Sequence, residues 1–214
     1  MSNNTVAERT LVMSVDVECD GIKNGHKPLA IGAVLYDTKT LAVSATFEGR
    51  IANLDGCTEW VEHNVVPAIQ CIQQTFSNSQ ELLKAFSEWY LKHKDDVVVI
   101  AHIPHPVETA MFLEMGRLGL IGEWDQPYPL IDVGAMLLTR NNNPLSVDDY
   151  RLAYCKPMQT NLEIGVHHPL YDAYQALAVY LKIIELIRPV KKSDEQKPID
   201  YNQPGMWNST AFRI

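Results

Sequence analysis

The sequence predicts an α/β domain on a mixed sheet of about five strands, three antiparallel and two parallel, flanked by helices. Three observations lead there. Three apolar, β-branched runs crowd into the first quarter of the chain, at residues 11–18, 29–36 and 42–51. A further buried-type run, VVVIA, stands alone at residues 97–101. After it, short apolar runs alternate with stretches of helical spacing, the order that gives parallel neighbours in a sheet.

Taken in order, LVMSVDVE at 11–18 is the first strand, and IGAV at Ile31 to Val34 is the heart of the second. The linker DGIKNGHK between them holds Gly21, Asn24 and Gly25 and predicts a turn or loop. Two helical stretches follow, at 58–74 and 79–93, the second with Ser79 as its N-cap. The run at 97–101 leads through HIPHPVE into a helix with Pro106 in its first turn and Gly119 near its end. Residues 130–133 form a short fifth strand that runs into a helix through Leu138. NNNPLS is a loop, 147–155 a short helix, and 169–187 a long one. The domain spans 9–188, behind a flexible N-terminus at 1–8. The tail at 189–214 is rich in Pro, Asn, Gln and charge and reads as extended, although Tyr201, Trp207 and Phe212 give it something to dock with.

With 214 residues the chain suits one domain with a substantial core. The net charge of -8 argues against a broad basic surface that coats duplex nucleic acid. The first ten residues contain no apolar signal segment, and no apolar run approaches membrane-spanning length. Cys19, Cys57, Cys71 and Cys155 form no CxxC pair or zinc spacing. Reduced thiols in a cytoplasmic protein are the expectation, with no membrane partner.

Asp16 and Glu18 lie two apart on the first strand, so they point to one side at its carboxyl end. Two carboxylates held together repel unless a cation sits between them, which suggests a divalent metal. His167 precedes the long helix and Asp172 lies one turn inside it. An imidazole so placed can take a proton from water near neutral pH. The plain alternative is a cap at His167 and a polar strip of Asp172, Gln175, Lys182 and Glu185 on a packing helix.

The order of these groups resembles the DEDDh family of 3′–5′ exonucleases, which have a ribonuclease-H-like fold. The resemblance covers residues 11–188. It rests on Asp16-x-Glu18, on IGAV ahead of Thr46-Phe47-Glu48, on VIAH at Val99 to His102, and on HHPLYDA at His167 to Ala173. The last is the most specific, since the family often shows His, two residues, Leu, one residue, then Asp-Ala. One departure stands out. Ile103 follows His102 where Asn is usual, and Glu108 stands where the family has Asp, with one extra residue before it. Glu reaches one methylene further and remains a hard oxygen ligand. Its alternative role is a helix-start carboxylate in a capping box with His105.

The resemblance implies two divalent ions, Mg²⁺ or Mn²⁺, held by Asp16, Glu18, Glu108 and Asp172. Asp16 would bridge the two ions and Glu108 would act through a water, with His167 as general base. Asp132 is a reserve carboxylate, expected as a cap, while His102 and His105 are expected in structural or loop roles. His168 fits the spacing of a Tyr-bearing sister group and is expected as a surface or phosphate-contacting neighbour. Cys19, Asp20 or Ile22 would hold the terminal base, and Trp60 would either stack on a base or pack in the core. The implied partner is the 3′ end of single-stranded DNA or RNA, and a homodimer is open because many relatives are dimers. Two rivals stand beside this reading. One is a catalytically inactive binding module on the same scaffold, and the other is a different metal-dependent phosphohydrolase or endonuclease.

Overall fold

The computed structural model describes residues 10–21, 25–156 and 165–186. Residues 1–8, the tail at 189–214 and Ile22 lie outside the described residues. Six strands form one sheet in the order β4-β3-β2-β1-β5-β6, so the mixed α/β architecture is as expected with one strand more. They are β1 (Leu11–Cys19), β2 (Pro28–Asp37), β3 (Ala42–Ile51), β4 (Thr75–Phe76), β5 (Val97–Ala101) and β6 (Leu130–Asp132). β1, β2 and β3 pair antiparallel, whereas β5 joins β1, β6 joins β5 and β4 joins β3 in parallel.

Helices cover both faces. α1 (Glu59–Asn64), α2 (Val66–Ile69), α3 (Ser79–Leu91) and α4 (Val107–Arg117) bury one core with Met13, Val15 and Val17 of β1. α5 (Val133–Thr139), α6 (Val147–Tyr154) and α7 (Pro169–Leu186) build a second core with Val12, Val34 and Ile100. The period-2 alternation of β1 explains the division: odd residues face the first group and even residues face α7.

Three local expectations are corrected. The stretch at 58–74 is two short helices and not one, because Pro67 lies at the start of α2 and cannot continue the ladder from α1. The two-residue β4 is an addition, too short to show alternation in the sequence. Asn78, not Ser79, caps α3, its side chain accepting from the Glu81 N–H at 3.0 Å. The Ser79 hydroxyl instead donates to the Pro28 carbonyl at 2.7 Å and ties α3 to β2.

Gly32 sets the depth at which α7 sits. It pairs with Asp16 across β1 and β2. A Cβ there would collide with the backbone of Pro169 and Leu170. Only a glycine lets the first turn of α7 rest directly on the sheet beside Asp16.

Candidate active site

The parallel pairing of β1 with β5 ends at Ser14, so the carboxyl end of β1 projects past its neighbour. That opens a crevice at the strand ends, where α/β sheets place their sites. Asp16 and Glu18 face α7 from this projecting segment. From above, the first turn of α7 brings Asp172 down and the turn before it brings His167.

Ligand atoms of Glu18, His167 and Asp172 all lie within 4.8 Å of one another. The Nδ1 of His167 is 3.7 Å from Glu18 Oε1. The His167 backbone N–H donates to Asp172 Oδ2 at 2.8 Å, which aims the carboxylate back toward β1. His167 takes a left-handed backbone, φ 69°, in a tight turn that a non-glycine residue seldom adopts. It is therefore fixed by the turn and by Asp172.

Glu108 comes from the start of α4 on the other side of β1 and is only 4% exposed. Its Oε1 accepts the Val17 N–H at 3.1 Å, a donor that the shortened β1–β5 pairing leaves without a strand partner. The capping-box role with His105 is not realised, since Pro106 precedes the first turn of α4 and makes no side-chain cap.

These carboxylates suppress one another's ionisation. Burial holds the Asp16 carboxyl well above its ordinary range, and the charges of Glu18, Glu108 and Asp172 add to that. Burial pushes Glu108 up to about 8, against the opposing Val17 N–H. Burial, then Glu18, pushes Asp172 up to about 7. The neighbouring Glu18 carboxylate raises His167 in spite of its burial. Packed carboxylates with raised pKa values store repulsion that a divalent cation relieves. The donor set is carboxylate oxygen with one imidazole, which fits Mg²⁺ or Mn²⁺ better than a thiolate-loving metal.

The crowding makes stability depend on pH. Asp172 and Glu108 ionise near 3.8 and 4.5 when unfolded but near 7 and 8 when folded. Between those values the folded protein holds protons that the unfolded chain has released, so stability falls as pH rises. Chelator-treated protein should lose stability steadily between about pH 4 and 8, as the folded state gives up its advantage in proton binding. Excess Mn²⁺ should remove most of that slope. Urea unfolding at pH 5 and 8, with chelator and with Mn²⁺, measures it, and a flat chelator profile would contradict the crowding.

Trp60 is not a core residue. It is 57% exposed, and its ring meets the His167 ring edge-on with centroids 5.3 Å apart. With Val17, Cys19, Val61, Val65 and Val107 it lines an open cavity of about 500 Å³ that ends at Glu18 and His167. Of the residues expected to hold a base, Cys19 lines this cavity, whereas Asp20 accepts the Lys27 N–H at 3.0 Å.

His168 is a correction: it is 1% exposed and not a surface neighbour. His102 contacts the Pro144 carbonyl at 2.7 Å, a structural role. Asp132 caps α5 by accepting the Gly134 N–H, and it also accepts the Ile103 N–H. Asp148 of α6 is a neighbour of the site that the sequence does not announce. Its charge acts on both Asp172 and His167, and its Oδ1 is buried with no hydrogen-bond partner among the described residues. Its place in an ordinary polar helix start gives no signal.

No helix among the described residues is long and apolar enough to cross a membrane. No protein-family model matches the sequence, and no curated protein matches it. Solved structures do. A full-length 3′-exonuclease superimposes with a TM-score of 0.60 at 12% identity, covering 83% of this chain and 82% of that one. The nuclease domain of 3′hExo, a DEDDh family member bound to rAMP, gives 0.49 at 12% identity over 84% and 94%. The first of these likenesses shows a shared fold.

Proposed function

We propose that this protein is a metal-dependent 3′–5′ exonuclease that shortens single-stranded or short nucleic acid to 5′-mononucleotides. The convergence of Glu18, His167 and Asp172 within 4.8 Å, beside Asp16 and Glu108, supports this most directly. The exonuclease fold of the structural neighbour agrees with it.

Asp16, Glu18 and Asp172 would hold one divalent ion, and Asp16 with the free oxygen of Glu108 would serve a second. Bound there, the ions supply positive charge against the developing phosphate charge and lower the pKa of water. The chain's own groups do the rest. His167 turns Nδ1 toward Glu18, which leaves Nε2 to take the proton of the attacking water. That water adds to the last phosphodiester, and the bond from phosphorus to the 3′ oxygen breaks. The terminal nucleotide leaves with its 5′ phosphate, and the shortened strand keeps a free 3′ hydroxyl.

The cavity beside Trp60 would take the terminal base. Its walls are mainly apolar, which suits stacking of any base over reading of its edge. Trp60→Ala should weaken binding by about 1–3 kcal/mol, a rise in KM of roughly fivefold to a hundredfold. Trp60→Phe should restore most of it. Steady-state kinetics on a single-stranded oligonucleotide tests this, and an unchanged KM for the alanine variant would place the base elsewhere.

The test of the function is product analysis on matched substrates with free and phosphorylated 3′ ends. Release of 5′-mononucleotides from the free end alone supports an exonuclease. Internal cleavage of the blocked strand would point to an endonuclease, and binding without cleavage would point to an inactive module.

A further inference from the structure

The sheet row that carries Asp16 continues beyond the site. Asp16 pairs with Gly32, and Gly32 pairs with Glu48. Directly opposed residues share a face, so all three look toward α7. The start of α7 rests on Gly32 and is therefore flanked by Asp16 on one side and Glu48 on the other.

The tandem histidines divide between the two sides. His167 reaches Glu18, whereas His168 places Nε2 3.4 Å from Glu48 Oε1. The His168 Nδ1 is buried without a hydrogen-bond partner among the described residues, and the Glu48 Oε1 contact is not aligned as a hydrogen bond. Leaving a polar atom so buried is unfavourable, and an apolar side chain would fill the position without that penalty. Packing of α7 gives no reason for an imidazole here. The turn is also joined through its backbone, whatever the side chain: the His168 carbonyl accepts the Asp172 N–H at 3.0 Å, and the Asp172 carboxylate accepts the His167 N–H. Any movement of His168 is passed to both.

We propose that Glu48 and His168 form a clamp on the far side of this helix start, positioning His167 and Asp172 over Asp16 and Glu18. The inference rests on the exonuclease reading, and it assigns Glu48 and His168 as positioning residues that never touch substrate. Through this close 3.4 Å contact Glu48 bears on the turn from β3, Gly32 sets its height, and the His168 backbone carries the contact to the reacting side.

The test compares wild type, E48A and E48Q by kinetics and by the His167 imidazole signals in ¹H–¹⁵N spectra of chelated protein. E48A should lose about ten- to a hundredfold in kcat through misplacement, with KM within about twofold, and should shift the His167 signals. E48Q, which keeps the size and an acceptor oxygen, should recover most of both. An E48A enzyme with wild-type kcat, or with unmoved His167 signals, would overturn the clamp. If the wild type cleaves no nucleic acid the functional reading fails, and the imidazole signals still decide the clamp, unmoved signals overturning it.

Discussion

Asp16→Asn should lower metal-dependent hydrolysis by at least about a thousandfold while making chelated protein more stable. The two effects have one cause. Asp16 is held among Glu18, Glu108 and Asp172, and its ionisation is opposed by burial and by all three. The amide has the same shape and no charge, so the apo protein is spared the cost of protonating or burying a carboxylate at neutral pH. The variant also loses the ligand proposed to serve both ion positions, so added Mn²⁺ should stabilise it much less than wild type. Thermal unfolding with chelator and with Mn²⁺ reads the stability effect, and initial rates read the other. A variant that keeps more than about a tenth of the wild-type rate would contradict the metal-holding role proposed for Asp16.

His167→Asn should cost about 10²–10⁴ in kcat, the range for loss of a positioned general base. Asparagine is the informative replacement because it tolerates the left-handed backbone at this position, φ 69°. A fold defect is thereby separated from a chemical one. The wild-type rate should rise with pH as the imidazole loses its proton, and in the variant that acidic limb should flatten. Rates from about pH 5 to 9 measure it. An asparagine variant with an unchanged acidic limb would show that another group accepts the proton.

Much of the fold is legible in the sequence because its strands are long or strongly β-branched. VVVIA and the three opening runs could hardly be anything else, and Pro169 marks the start of α7. What the sequence hides depends on tertiary contacts. The two residues of β4 carry no periodicity, and the break between α1 and α2 follows from one proline inside an otherwise helical pattern. In the site, alternation along β1 is enough to pair Asp16 with Glu18, and the spacing of His167 and Asp172 brings in α7. Glu108 is legible only as an acid after a strand, and its bond to Val17 depends on where β5 stops. The burial of His168 cannot be read from a loop beside a helix start, because it depends on Gly32 and Glu48, more than a hundred residues away.

The most direct test is hydrolysis of 5′-labelled single-stranded RNA and DNA with Mg²⁺ or Mn²⁺, with chelator, and with Asp16→Ala. The expected result is a ladder that shortens from the 3′ end, absent with chelator and in the variant. An intact strand of both kinds under either metal would contradict it.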